Sequence, residues 1–294
     1  MIKELQKARR RMKSYNESII STGRLRLYPT LKLLTAVVLF ALSYSAKPMA
    51  LEMPAGKWVD LSHDFSSETI YWPTGEGFKL ETVFEGMTEK GYFYDAKKYC
   101  SEEHGGTHID APVHFAEGRQ TVDEIPLDKL TGAAVVIDVS ENALKNPDYE
   151  VSVADITSWE EVNGKIPDGI IVLFNTGYGR YWPDRARYMG TDKRGPEAVK
   201  DLHFPGLGPE AAKWLVDNRN VNAVGIDTAS IDHGQSKLFE THRTLSKNNV
   251  PAFENVANLD QVPAKGALVF ALPMKIKGGS GGPLRIIALV PENQ

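Results

Sequence analysis

The chain has 294 residues, of which 42% are hydrophobic and 24% charged, with a formal net charge of −4. That composition is ordinary for a soluble globular protein and excludes a wholly disordered or collagen-like chain. Cys100 is the only cysteine, which excludes an intramolecular disulfide, and its small apolar side chain predicts a buried position.

The first fifty residues differ from the rest. They hold ten Lys or Arg against two Glu, including the run Arg9, Arg10, Arg11, and lead into fourteen uncharged residues from Leu33 to Ala46. A membrane span needs roughly 20 apolar residues, so no stable span is expected. A basic lead, an apolar centre and small residues around Ser43, Ser45 and Ala46 read instead as a secretory signal peptide, with Met12 as an alternative start. This predicts export to the periplasm or beyond, cleavage between Ser45 and Ala50, and one domain over 51–294. Past residue 50, acidic residues outnumber basic ones by 12. Nucleic acid, whose binding rests on basic surface, is excluded as a partner.

In chain order, "HGGTHIDAPVHF" (104–115) is the next segment with a strong preference. His104 and His108 have the i, i+4 spacing of a helical metal pair, but Gly105, Gly106, Thr107, Ile109 and Pro112 disfavour a helix. Extended chain is predicted. Apolar, β-rich runs at 132–140, 169–177, 221–230, 266–273 and 283–291 predict mostly buried strands. "SVADITSW" (152–159) opens with Ser152 three residues before Asp155, close to a capping box. "GPEAAKWLVDN" (208–218) has Pro209 at a first helical position and Glu210 in the first turn. "GGSGGP" (278–283) lacks the lysine and hydroxyl of a phosphate loop and predicts a tight turn before the last strand. Strands mixed with helices give an α/β class.

Three imidazoles and a carboxylate within twelve residues need partners, because each buried polar group otherwise costs free energy. In extended chain, residues of one parity share a face, and His104, His108, Asp110, Pro112 and His114 are all even. At about 3.3 Å per residue, His104 and His108 would lie ~13 Å apart, but Gly105 and Gly106 let the chain bend and swing His104 back. Two imidazoles and one carboxylate suit Zn²⁺ or Mn²⁺ with a position left for water. Further ligands must come from elsewhere. His242 and Glu254 are candidates, and on spacing alone Asp227, Asp232 and His233 serve equally well. His114 sits four residues past Asp110 with Pro112 stiffening the interval, so a further bond to the same ion is strained; its ordinary pKa of about 6.5 suits proton transfer. Thr107 reads either as orienting a ligand or as a plain strand residue. His63 and His203 have no partner at ligand spacing and read as loop or hydrogen-bonded residues.

Segment 104–115 resembles the H-x-G-T-H-x-D-x-P-x-H-F signature of the cyclase family of metal-dependent hydrolases, which includes bacterial kynurenine formamidase and isatin hydrolase. Every specified position matches. His242 and Glu254, followed by Asn255, resemble the family's second metal-binding segment, and "YWPTGEGF" (71–78) its substrate-side loop. "ENVANLDQVP" and "GGSGGPLRI" look most like the isatin hydrolase branch. The resemblance implies a single α/β domain of β/β/α (swivelling) type, with a mixed sheet and flanking helices. It implies His104, His108, Asp110, His242 and Glu254 as ligands of one or two divalent ions, Mn²⁺ or Zn²⁺, with Asp110 able to bridge. His114 corresponds to the catalytic histidine, and Tyr71, Trp72 and Pro73 to the substrate pocket. The implied activity is hydrolysis of the C–N bond of a small aromatic or cyclic amide, with a homodimer or homotetramer as the assembly. Arylformamidase activity on N-formylkynurenine, lactone hydrolysis or cyclisation at the same site, and metal binding without turnover are the alternatives. His114 counts against the last, since a passive metal trap does not need it.

Overall fold

The computed structural model describes residues 55–292. The basic and apolar leader and its expected cleavage region lie outside the described residues. The strands are Gly56–Asp60 (β1), Lys79–Met87 (β2), Phe93–Cys100 (β3), His108–Asp110 (β4), Thr131–Asp138 (β5), Glu150–Val151 (β6), Ile171–Asn175 (β7), Gly206–Leu207 (β8), Ala223–Ile226 (β9), Ala252–Glu254 (β10), Lys265–Pro273 (β11) and Gly281–Pro291 (β12). All five strand runs expected from apolar patterning are present, trimmed or extended by up to four residues at their ends.

Eight strands form one mixed sheet in the order β1-β12-β11-β5-β7-β9-β10-β4, and β4 also pairs with β12, which closes the sheet into a barrel. Closure depends on the length of β12. Its first residues, Gly281 to Pro283, pair with β4, whereas Ile287 to Pro291 pair with β1. Strands β5, β7, β9 and β10 run parallel, and the others join antiparallel.

Side-chain alternation divides the core in two. Ala134, Val136, Ile171, Leu173 and Phe253 belong to one apolar cluster with Val269 and Ile286 of β11 and β12. Their neighbours Val135, Ile137, Val172, Phe174 and Ile226 pack instead with helices Val153–Asn163 (α1), Pro209–Asn218 (α2) and Glu240–Lys247 (α3). Strands covered on both faces are apolar at successive positions, which is why these runs show no alternation in sequence. The expected helix starts are also realised. Ser152 and Asp155 form the reciprocal capping box of α1, and Pro209 opens α2. No helix among the described residues is long and apolar enough to cross a membrane.

Two local expectations are corrected. Extended chain does not continue to residue 115, because β4 ends at Asp110 and Pro112–His114 forms a 3₁₀ turn. The fixed φ of Pro112 suits the start of such a turn, and the backbone N–H of His114 donates to the Ala111 carbonyl at 2.9 Å. Cys100 is exposed rather than buried, because among the described residues it ends a strand that pairs only with β2 and is exposed along most of its length.

Candidate metal centre

Strand β4 sits between β10 and β12, and its register sets the site. Glu254 lies directly opposite His108 on one side, and Gly281 opposite Asp110 on the other. His242 comes from the buried face of α3. Strand pairing thus brings Glu254, and helix packing His242, to residues 104–110 from far along the chain. Donor atoms of His104, His108 and Asp110 lie within 4.8 Å of one another, as do those of Asp110, His242 and Glu254. The shared Asp110 is 3% exposed.

The bend that returns His104 is made by its two glycines. Gly105 and Gly106 have φ of +151° and +58°, conformations that other residues rarely adopt. A Cβ on Gly105 would lie 2.1 Å from the Tyr71 ring, so the same glycine leaves room for the pocket wall. The Gly106 carbonyl accepts from His108 Nδ1 at 2.9 Å and from Asn255 Nδ2 at 2.7 Å. Asn255 thereby ties the bend to the residue after Glu254.

Hydrogen bonding fixes the tautomers. His108 donates from Nδ1, which leaves a bare Nε2 aimed at Asp110 Oδ1 at 3.2 Å and Glu254 Oε2 at 3.4 Å. Among the described residues that buried Nε2 has no hydrogen-bond partner. A lone pair facing carboxylate oxygens is repulsive unless a proton or a cation lies between them. His242 repeats the pattern, with Nδ1 against Asp232 Oδ2 at 2.5 Å and Nε2 against Asp110 Oδ2 at 2.9 Å and Glu254 Oε1 at 3.1 Å. His104 places Nδ1 2.6 Å from Asp110 Oδ1, and its Nε2 is 2.9 Å from Ser280 Oγ.

Burial would lower the pKa of His108 and His242, but the carboxylates of Asp110 and Glu254, joined at His242 by Asp232, raise both. Burial would likewise raise Asp110, yet His104, His108 and His242 hold it well below the usual carboxylate range. Buried negative charge here therefore requires positive charge beside it, and a divalent cation can replace the protons. Three imidazoles and two carboxylates are a donor set suited to Zn²⁺ or Mn²⁺. The orphaned Nε2 of His108 makes the residues present fit such an ion.

Above this cluster lies a cavity of about 240 Å³. Its walls include Tyr71, Trp72, Phe115 and Phe239, with His104, His108 and Asp110 also exposed to it. The His114 ring stacks on His104 at 3.8 Å between centroids and lines the same cavity. Burial lowers its pKa to about 4, with the neighbouring His104 and His242 opposing the attraction of Asp110. Pro73 lies buried behind this wall, its carbonyl accepting from Gly195 N–H at 2.8 Å. Thr107 faces away from the cluster, donating to the Asn255 carbonyl at 2.7 Å and accepting from the His63 N–H at 2.8 Å.

The residues that spacing left interchangeable are separated by the fold. Asp227 accepts from Thr176 and Gly179. His233 pairs with Glu150 at 2.9 Å, His203 with Asp148 at 2.8 Å, and His63 stacks on Trp182 at 4.1 Å. Asp232 instead stands behind His242 and orients it. Ser280 and Glu103 do the same for His104, with Ser280 Oγ 2.6 Å from Glu103 Oε2. Neither Ser280 nor Glu103 stood out in the sequence. The signal for Ser280 was its glycine setting: a Cβ on Gly281 would lie 2.6 Å from the His104 ring, so only glycine lets β12 come this close. Phe239, also unflagged, holds φ of +48° and closes the cavity beside Trp72.

A closed mixed barrel carrying a buried His/Asp/Glu cluster below an aromatic cavity has the architecture of a metal-dependent hydrolase. Residues 59–233 match the model of the Cyclase family, described as "Putative cyclase", and the chain belongs to that family. It is 33% identical to isatin hydrolase of Roseibium aggregatum over 198 residues, 65% of this chain and 73% of that protein. It is 28% identical to kynurenine formamidase of Salinibacter ruber over 229 residues, 78% of this chain and 95% of that protein. The structure of isatin hydrolase A from Labrenzia aggregata bound to benzyl benzoate superposes with a TM-score of 0.73 at 31% identity, covering 87% of this chain and all of that one.

Proposed function

We propose that the protein is a metal-dependent hydrolase of small aromatic or cyclic amides, with an isatin-like amide as the preferred substrate class. The observation that carries this is the stacking of a neutral His114 against His104, inside an aromatic-walled cavity and beside two buried carboxylates. His104, His108, Asp110, His242 and Glu254 would hold one or two ions, with Asp110 shared. When bound, a divalent ion supplies Lewis-acid polarisation of the carbonyl and lowers the pKa of water.

The chain's own residues do the rest. Tyr71, Trp72, Phe115 and Phe239 bind the flat apolar part of the substrate and exclude water from around it. Asp232 and Ser280 hold the imidazoles in the orientations that present nitrogen lone pairs to the cluster. His114, kept neutral at pH 7 by burial, takes a proton from the attacking water and delivers it to the departing nitrogen, which otherwise leaves poorly. No side-chain hydrogen bond among the described residues engages its ring. The ion is Mn²⁺ or Zn²⁺, both of which suit imidazole and carboxylate donors. The second reading is an arylformamidase, favoured by the likeness to kynurenine formamidase; it uses the same groups on an acyclic amide.

Purified protein loaded with Mn²⁺ or Zn²⁺, assayed against isatin, N-formylkynurenine, simple aryl amides and lactones, tests this. Turnover of isatin is the expected result. Turnover of lactones alone, or of none of these, would remove the amide assignment.

The proposal extends to organisation and location. Residues 51–294 form the hydrolase domain, of the β/β/α type, and self-associate; residues 1–50 direct export. Export fits an environmental amide better than an intermediate made inside the cell. N-terminal sequencing of protein from its native host is expected to find a start between residues 46 and 51, and an intact cytosolic N-terminus would refute export.

A further inference from the structure

Local preference is broken twice at one residue. Four non-glycine residues among those described have positive φ, and three of them are asparagines, which tolerate left-handed backbone. The fourth is Phe239, at φ +48° and ψ +46°. It also occupies the N-cap of α3, a position that favours Ser, Thr, Asp or Asn because the side chain there accepts a backbone N–H of the first turn. A phenyl ring cannot do this. The cap comes instead from Asp232, whose carboxylate takes the N–H groups of Thr241 and His242 at 3.2 and 3.1 Å. Such breaches collect where function needs a side chain in one particular place.

Both peptide groups of Phe239 are held. Its carbonyl accepts the Arg243 N–H at 3.0 Å, as in any helix. Its N–H donates to Ser236 Oγ at 3.2 Å, and the Ser236 hydroxyl donates in turn to Asp232 Oδ1 at 3.1 Å. With both groups pinned, the backbone angles between them are pinned too. The ring is thereby set across the cavity. It lies 6.4 Å from Trp72 and 5.4 Å from Phe115 between ring centroids, and so joins the wall at residues 71–72 to the end of the Pro112–His114 turn.

We infer that Phe239 is a clamp that sets the size of ring the cavity accepts, and that Ser236 is the positioning residue that holds the clamp closed. This rests on the reading of the cavity as a site for a flat aromatic group. An unsupported L-residue prefers other backbone regions over the left-handed one by about 5- to 30-fold, so the Ser236 hydroxyl supplies what the residue's own preference opposes. Without that hydroxyl the Phe239 N–H is released, φ returns to negative values, and the ring leaves its place between Trp72 and Phe115. The clamped cavity of about 240 Å³ suits a small ring, since an apolar cavity of ~150 Å³ is enough for benzene. The unclamped one holds a small ring poorly and gives room to a larger one. Affinity for the small ring falls with the fraction of molecules still clamped, which the backbone preference puts at about 5- to 30-fold.

The test reads binding and not turnover. Fluorobenzene and fluorobiphenyl, neither of which carries an atom that ligates a metal ion, are titrated into the zinc-loaded full-length chain and followed by fluorine NMR. Ser236→Ala is expected to weaken fluorobenzene about 5- to 30-fold and to shift the preference between the two ligands at least fivefold toward fluorobiphenyl. Ser236→Thr, which restores the hydroxyl, should stay within about threefold of the wild type. A general loosening of the fold weakens both ligands alike and is not rescued by threonine. Bound zinc should hold at the wild-type level, because Asp232 keeps its bonds to Thr241 and His242. Wild-type affinity in Ser236→Ala, equal losses of both ligands, or a loss in Ser236→Thr as deep as in Ser236→Ala overturns the clamp and leaves the hydrolase reading standing. A wild type that binds neither ligand removes the aromatic reading of the cavity, and the clamp with it. Should Ser236→Ala fail to fold, Phe239→Gly decides, since glycine takes this backbone freely. Fluorobenzene is then expected to bind at least fivefold more weakly, and wild-type binding overturns the proposal.

Discussion

Replacing Asp232 with Asn probes whether His242 binds metal and whether its orientation matters. Asp232 is 1% exposed, and its two oxygens are fully used. Oδ2 faces His242 Nδ1 at 2.5 Å and accepts the His242 backbone N–H at 3.1 Å; Oδ1 accepts Thr241 N–H at 3.2 Å and Ser236 Oγ–H at 3.1 Å. An asparagine has one acceptor oxygen, so whichever way it turns, its NH₂ meets two groups that also donate. If the NH₂ faces His242, the imidazole loses the carboxylate that sets its tautomer and raises its basicity. Loss of such an orienting partner typically costs 10- to 100-fold in metal affinity, or ~1.4–2.8 kcal/mol. Competition against a chromophoric chelator measures this directly, with circular dichroism of the metal-free variant as a check on folding. Asp110→Ala sets the upper limit, because it deletes the carboxylate that faces all three imidazoles, and should abolish bound metal. A folded Asp232→Asn protein with wild-type affinity would refute the reasoning, and a fully loaded Asp110→Ala protein would remove the metal assignment altogether.

His114→Ala should retain metal, because the five candidate ligands are untouched, while kcat falls about 10²- to 10⁴-fold; anilides with better leaving groups should lose less, and an unchanged kcat makes the residue structural. Gly105→Ala forces a Cβ to within 2.1 Å of the Tyr71 ring at a φ of +151°, so overpacking and backbone strain together should cost about 2–5 kcal/mol. An unchanged urea midpoint contradicts that. His63 has its pKa lowered to about 4 by burial, against the pull of Asp64 and Asp60. The unfolded chain protonates this histidine near 6.5 and the folded protein only near 4, so its contribution is fully present above pH 6.5 and is lost as pH falls toward 4, by at most about 3 kcal/mol. His63→Phe should flatten the stability profile across that window by the same amount, and parallel profiles for the two proteins exclude the assignment.

Local chemistry was written plainly in the chain. The double glycine predicted a bend, and both residues take positive φ. Ser152 with Asp155 and Pro209 predicted helix starts that the fold realises, because caps depend on neighbours within three or four positions. The strand runs were legible as buried β from their β-branched residues, but not as a barrel. The hairpin of β12 with β11 follows from chain order, but closure is decided by β12 pairing also with β1 and β4, which lie far from it in the chain. The limit is sharpest at the second half of the site. His242, Asp232, Asp227 and His233 were equivalent in sequence, since spacing says nothing of which face of which element meets β4. Antiparallel register placed Glu254 opposite His108, the packing of α3 aimed His242 at Asp110, and Asp232 was left behind it as an acceptor. Sequence by itself determined the donor types and the local bends that permit them. Only tertiary structure decided which distant donors converge, because strand register and helix packing fix a separation of a few ångströms between residues more than a hundred positions apart.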